Sequence, residues 1–158
     1  MNPLVIIYTD GGCSPNPGLG GWGAVLISPA HNTRKELCGS EPDTTNNRME
    51  ILAAIMALRE LKKPCQVELY TDSQYLKKAF TDGWLNKWQR NGWQTSNKKP
   101  VVNQDLWEEL LRLTAQHAIE WKWVKGHAST VENNRCDQLV QRARDTYREE
   151  ALRKRIAL

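Results

Sequence analysis

The chain has 158 residues, of which 40% are hydrophobic and 25% charged, and a formal net charge of +4. That length suits one domain with a real core, and the composition is that of an ordinary globular protein. No run of about 18 apolar residues is present to form a membrane span, and Met1-Asn2-Pro3-Leu4 offers neither the basic start nor the cleavage site of a secretory signal.

A single domain over 1–158 is therefore expected, with a core at about 4–143, a basic tail at 144–158, and the cytoplasm as its compartment. The four cysteines at 13, 38, 65 and 136 form no C-x-x-C pair and have no histidines at zinc-site spacing, so free thiols are expected. The charge is uneven. Lys77 to Lys99 holds six basic residues and one acid, and Arg142 to Arg155 holds six basic and three acidic residues, which leaves the remainder net acidic. A basic face beside an acidic remainder suits a polyanion met by something that holds cations.

In chain order, Leu4 to Tyr8 is apolar throughout and reads as a strand buried on both faces. Asp10-Gly11-Gly12 reads as a turn, and Ser14 to Gly21 as a Pro/Gly-rich loop. Trp22 to Ile27 and Arg34 to Cys38 read as the second and third strands, an antiparallel start. A helix is expected from about Asn46 to Lys62, with Thr44, Thr45 and Asn46 as candidate caps and Pro64 as its stop. Val67 to Tyr70 is a fourth strand, parallel to the first because a helix separates them. Asp72-Ser73 can cap a helix over Gln74 to Phe80; a polar, Trp-containing segment runs to Pro100, and Asn103 to Gln116 reads as helix. Ile119 to Val124 alternates as a fifth strand, and a closing helix starts at Val131 or Glu132, with Tyr147 to Leu158 extending or fraying it. The order β-β-β-α-β-α-α-β-α is that of an α/β fold on a mixed five-stranded sheet, three antiparallel strands then two parallel ones, flanked by helices.

One detail of this pattern carries chemistry. The first and fourth strands both run into Tyr-Thr-Asp, as Tyr8-Thr9-Asp10 and Tyr70-Thr71-Asp72. Ligands of open α/β sheets bind outside the carboxyl ends of parallel strands, so Asp10 and Asp72 leave the sheet side by side. Carboxylates that close repel, and the pair calls for a shared proton or a metal. Either acid alone is also an ordinary turn or cap residue. Glu50, about one turn into an otherwise apolar helix, and Asp137, early in the last helix, are two further acids able to join them. Four acids without a thiolate cluster suit Mg²⁺. Of the three histidines, at 31, 117 and 127, only His127 lies in a motif, Gly126-His127-Ala128, which disfavours chemistry by a histidine pair.

The strings Tyr8-Thr9-Asp10-Gly11-Gly12-Cys13 with Asn16-Pro17-Gly18, Thr44-Thr45-Asn46-Asn47-Arg48-Met49-Glu50, Thr71-Asp72-Ser73-Gln74-Tyr75, Trp123-Val124-Lys125-Gly126-His127-Ala128 and Glu132-Asn133-Asn134-Arg135-Cys136-Asp137 together resemble bacterial type 1 ribonuclease H, over about residues 4–143. The resemblance implies an endonuclease that hydrolyses the RNA strand of RNA–DNA hybrids by two-metal-ion catalysis with Mg²⁺, or Mn²⁺ as a substitute, leaving 3′-hydroxyl and 5′-phosphate ends. It implies metal ligands at Asp10, Glu50, Asp72 and Asp137, and a proton-transfer or product-release role for His127. It implies hybrid contacts at Cys13, Asn16, Asn46, Asn47 and Gln74, and a DNA-phosphate pocket at Thr45 and Asn103. Asp43 departs from the basic residue found there in some relatives. The segment Trp84 to Trp93 resembles the family's basic protrusion, with Trp84, Lys87, Trp88, Arg90, Lys98 and Lys99 as contacts to the hybrid, whereas Trp107, Trp121 and Trp123 are assigned to the core. A monomer is implied. The alternatives are another nuclease of this architecture, of resolvase or transposase type, and a non-catalytic hybrid-binding module. The first lacks the Thr-Asn-Asn-Arg-Met-Glu and Gly-His-Ala strings, and the presence of all four acids argues against the second.

Overall fold

The structure is a computed structural model that describes residues 2–125 and 130–156. Strands β1 (Leu4–Cys13), β2 (Gly18–Ser28) and β3 (Thr33–Thr44) are followed by helix α1 (Asn46–Arg59), strand β4 (Gln66–Thr71), helices α2 (Gln74–Thr81), α3 (Trp84–Asn91) and α4 (Gln104–Thr114), strand β5 (Ala118–Trp123) and helix α5 (Val131–Ile156). The five strands form one sheet in the order β3-β2-β1-β4-β5. The β1–β2 and β2–β3 pairs are antiparallel, and the β1–β4 and β4–β5 pairs are parallel. The sheet is thus the mixed one expected from the sequence.

The two faces of the sheet bury different helices. Val5, Ile7, Ala24, Leu26, Val67 and Leu69 pack against Ile51, Ile55 and Leu58 of α1 and Trp107 and Leu110 of α4. On the other face Val25, Tyr8 and Ile27 pack against Cys136 and Leu139 of α5. This alternation along β1 and β2 is the two-residue period of a strand. Helix α1 begins at Thr45, whose hydroxyl accepts the Arg48 N–H at 3.2 Å, and α2 begins at Ser73, whose hydroxyl accepts the Leu76 N–H at 3.0 Å. Ser73, not Asp72, is therefore the cap.

The structure corrects several boundaries. Asp10-Gly11-Gly12 is not a turn: β1 continues to Cys13, pairing Asp10 with Gly23 and Gly11 with Trp22. Likewise β2 begins at Gly18 inside the expected loop, and β3 reaches Thr44. These glycines serve close approach. A Cβ at Gly11 would lie 2.4 Å from the Met49 carbonyl carbon, and one at Gly23 would lie 2.8 Å from the Cys136 carbonyl oxygen. The segment between α2 and Pro100 contains a helix, α3, absent from the expected element order although the four-residue spacing of Trp84 and Trp88 fits one helical face. It is bounded by Gly83 and Gly92, both left-handed (φ 74° and 76°), and it turns Trp84 and Trp88 toward Tyr75 and Trp107. The tail does not fray before Ile156. Trp107 is fully buried and Trp121 stacks on Phe80, but Trp123 is 38% exposed, contrary to expectation. It sits at the end of the edge strand, where the Lys77 ammonium lies 4.7 Å from its ring centre. All four cysteines are free thiols.

Gly11 and Gly12 make a direct test of the close-approach reading, because among the described residues a Cβ at Gly12 meets only the Asn46 Oδ1, at 3.7 Å. Gly11→Ala is expected to lose about 2 kcal/mol in urea unfolding, since the clash is with backbone. Gly12→Ala is expected to stay within about 0.5 kcal/mol of the parent.

Candidate active site

β1 leaves β4 before it leaves β2. Its last parallel partner is the Tyr8–Tyr70 pair, whose rings stack at 4.7 Å, while its antiparallel pairing runs on to Cys13. The sheet therefore splits after Tyr8, and Asp10 stands at the fork with Asp72 just beyond the end of β4. Helix α1 closes the fork from the opposite face. Glu50, on its first turns, is 7% exposed, and its Oε1 accepts the Gly11 N–H at 2.7 Å. Carboxylate oxygens of Asp10, Glu50 and Asp72 all lie within 4.8 Å of one another.

Such crowding has an electrostatic consequence. Burial, then the charge of Asp72, pushes the Asp10 carboxyl up to about 6. Burial, then the charges of Asp10 and Asp72, holds Glu50 well above the usual carboxylate range. Among the described residues the buried Glu50 Oε2 atom meets no hydrogen-bond donor. A buried carboxylate oxygen left unpartnered amid two other acids is costly for the protein alone. A hard divalent cation, which takes oxygen ligands, removes both the orphan and the repulsion. The donor set is all oxygen, so these residues fit Mg²⁺ or Mn²⁺.

Asp137 lies outside that triad. It is exposed on α5 and lines a cleft with Asp10, Asp72, Lys125 and Asn134, so the fourth acid faces the first and third across open space. Its charge adds to the upward push on Asp10. On the α1 side, a shallow groove runs from Asp10, Glu50 and Asp72 past Asn46, Asn47 and Gln74. The groove thus places Asn46, Asn47 and Gln74, three of the residues expected to touch the hybrid, beside the acids. The loops of that groove are braced to each other: Cys13 N–H donates to Asn46 Oδ1 at 2.6 Å, and Asn46 N–H donates to Asn16 Oδ1 at 3.1 Å.

Thr45 and Asn103 are joined through a residue the sequence reading overlooked. Arg48 donates to Asn103 Oδ1 at 3.3 Å and forms a bidentate pair with Asp105 at 2.6 and 3.0 Å. Thr45 accepts the Arg48 N–H, so all three lie around the start of α1. The Arg48–Asp105 separation of 57 positions left no local signal for it. Lys87, Arg90, Lys98 and Lys99 are exposed, whereas Trp84 and Trp88 are half-buried in the aromatic cluster with Tyr75 and Trp107 and hold α3 to the body. His127 lies outside the described residues.

The raised Asp10 carboxyl sets the sign of a pH effect. Between its ordinary value and about 6 the folded protein holds the proton that the unfolded chain has released. Stability of the metal-free protein therefore falls as pH rises through that window. Asp10→Asn removes the charge, and in urea unfolding with chelator it is expected to stabilise by about 2 kcal/mol at pH 7 and by almost nothing at pH 4. A variant less stable than the parent at pH 7 would contradict the crowding.

Comparison with known proteins agrees with this geometry. The RNase H family model matches residues 2–145. The ribonuclease H of Moorella thermoacetica is 63% identical over 139 residues, covering 88% of this chain and 90% of its own. That of Rhodopseudomonas palustris (strain TIE-1) is 55% identical over 152 residues, covering 96% of this chain and 94% of its own. Among solved structures, LC9-RNase H1, described as a type 1 RNase H with the type 2 active-site motif, superposes with a TM-score of 0.81 at 31% identity, covering 92% of this chain and 74% of its own. The chain belongs to the bacterial type 1 branch of the ribonuclease H family, the nucleases that hydrolyse the RNA strand of RNA–DNA hybrids.

Proposed function

We propose that this ribonuclease H works with divalent cations, Mg²⁺ or in its place Mn²⁺, held by Asp10, Glu50, Asp72 and Asp137. The observation that carries the proposal is the buried Glu50 Oε2, which meets no hydrogen-bond donor among the described residues, in a carboxylate that has an oxygen within 4.8 Å of oxygens of Asp10 and Asp72. When bound, such cations supply an activated water and relief of charge at the phosphate. The chain's own groups do the rest. Asn46, Asn47 and Gln74 line the groove that leads to the acids, where side-chain amides can donate to and accept from a ribose 2′-hydroxyl. Asn16 and the Cys13 backbone brace that wall. Thr45 and Asn103, linked by Arg48, form the proposed seat for a phosphate of the DNA strand. Lys87, Arg90, Lys98 and Lys99 extend the contact along the backbone, and Trp84 and Trp88 set the pose of that protrusion. Lys125 lines the cleft beside Asp137, where its ammonium can face a phosphate. His127 is assigned the proton-transfer or product-release role, and the products are 3′-hydroxyl and 5′-phosphate ends.

No helix among the described residues is long and apolar enough to cross a membrane. We assign the whole chain to one domain acting as a monomer in the cytoplasm, in line with four free thiols.

The test is cleavage of an end-labelled RNA–DNA hybrid beside duplex RNA, duplex DNA and single-stranded RNA, each with Mg²⁺ and with chelator. Cuts only in the hybrid's RNA strand, only with metal, are expected. Asp72→Asn is expected to lower the rate roughly 100-fold or more while binding the hybrid as tightly as the parent. Cleavage in chelator, or an active Asp72→Asn, would refute the assignment. For each of Lys87→Ala, Arg90→Ala, Lys98→Ala and Lys99→Ala, the slope of log affinity against log salt should fall by about 1.

A further inference from the structure

The first turn of α5 carries Asn134 to the cleft and leads into Asp137 on the second turn, yet among the described residues it has almost no apolar anchor. Val131 is 80% exposed, and burial on this helix starts only at Cys136. From there on the helix is well fixed. Cys136 Sγ donates to the Tyr8 carbonyl at 3.3 Å, Gly21 and Gly23 let the helix backbone lie against β2, and Arg144 donates to the Leu19 and Ser14 carbonyls at 3.3 and 3.0 Å.

What ties the first turn to the sheet is polar. Arg34 of β3 donates through Nε and Nη2 to both oxygens of Glu132, at 3.0 and 2.8 Å. Arg135 donates through Nε and Nη2 to both oxygens of Glu36, at 2.7 and 2.9 Å. Arg34 Nη1 also reaches Glu36 Oε2 at 2.8 Å, which joins the two pairs into one alternating row. Isolated surface ion pairs contribute little, but bidentate geometry and a shared network are the conditions under which they do. The carboxylates are the better shielded members, Glu132 with 18% and Glu36 with 26% of its side chain exposed. Arg135, then Arg34, hold Glu36 down to about 2, so Glu36, at the centre of the row, stays ionised at neutral pH.

We propose that Arg34, Glu36, Glu132 and Arg135 are positioning residues, a four-charge clamp that fixes the first turn of α5, which carries Asn134 and leads into Asp137 opposite Asp10 and Asp72. Glu132 and Arg135 lie five and two positions before Asp137. They grip one side of the turn while Asp137 and Asn134 line the cleft. The clamp orders a helix start that apolar burial does not. This inference rests on the reading of Asp137 as a site carboxylate.

The experiment compares the parent with Glu36→Gln, with the fourfold reversal Arg34→Glu/Glu36→Arg/Glu132→Arg/Arg135→Glu, and with Asp137→Asn. In Glu36→Gln, amide hydrogen exchange of the metal-free protein is expected to quicken about tenfold at 133–137 and to stay unchanged at 139–144. In cleavage, kcat is expected to fall on the order of tenfold with KM for the hybrid unchanged. The fourfold reversal restores the alternating row and should recover both readouts, which a role for any single charge would not allow. Unchanged exchange in Glu36→Gln, or faster exchange with full kcat, would overturn the clamp. An inactive Asp137→Asn beside a fully active Glu36→Gln would sink the clamp alone. A fully active Asp137→Asn would sink the reading of Asp137 itself, and the clamp's catalytic purpose with it.

Discussion

Three carboxylates with oxygens inside 4.8 Å of each other are the constraint around which this protein is arranged. A fold that merely minimised its free energy would not place Asp10, Glu50 and Asp72 together, with one oxygen of Glu50 buried and, among the described residues, met by no hydrogen-bond donor. The rest of the structure supplies the rigidity that keeps them there. Helix α1 is pressed onto β1 so closely that a single Cβ at Gly11 would strike the Met49 backbone, and the same approach lets the Gly11 N–H hold Glu50 Oε1. Strain at a functional site is sustained when its surroundings over-determine it.

The fork in the sheet is the second element of that design. β1 serves as a central strand on both sides up to Tyr8 and on one side only from there to Cys13. The parallel half ends where the antiparallel half continues, so an acid can sit in the strand and still face open space beyond β4. Ligand sites at the carboxyl ends of parallel strands are a general consequence of α/β architecture. Here the antiparallel extension adds a firm wall, and the groove lined by Asn46, Asn47 and Gln74 opens beside it.

Much of this was legible in the sequence because the signals are local. Apolar runs of fixed length gave the strands, and the repeated Tyr-Thr-Asp marked where two of them end. Thr45 and Ser73 announced two helix starts. The misread features depend on contacts between distant segments. Gly11 and Gly21 look like turn residues in a sequence, yet they sit in strands because the backbones of α1 and α5 press on them. Helix α3 lies in a polar, tryptophan-rich stretch whose helical face is aromatic and pairs with Tyr75 and Trp107 from other elements. The charge row from Glu132 to Arg135 joins residues 98 and 99 positions apart, beyond any periodicity. Asp137 was legible as a candidate, but its exposed place across the cleft, apart from the triad, was not.

The most direct test of the account is a carboxyl-carbon NMR titration of Asp10, first without metal and then with saturating Mg²⁺. Crowding among the three acids predicts a midpoint of about 6 in the metal-free protein. With Mg²⁺ the midpoint should drop below the ordinary aspartate value of about 3.9. A metal-free midpoint near that ordinary value, or one that does not move when Mg²⁺ is added, would contradict the claim that the acids are forced together to hold a cation.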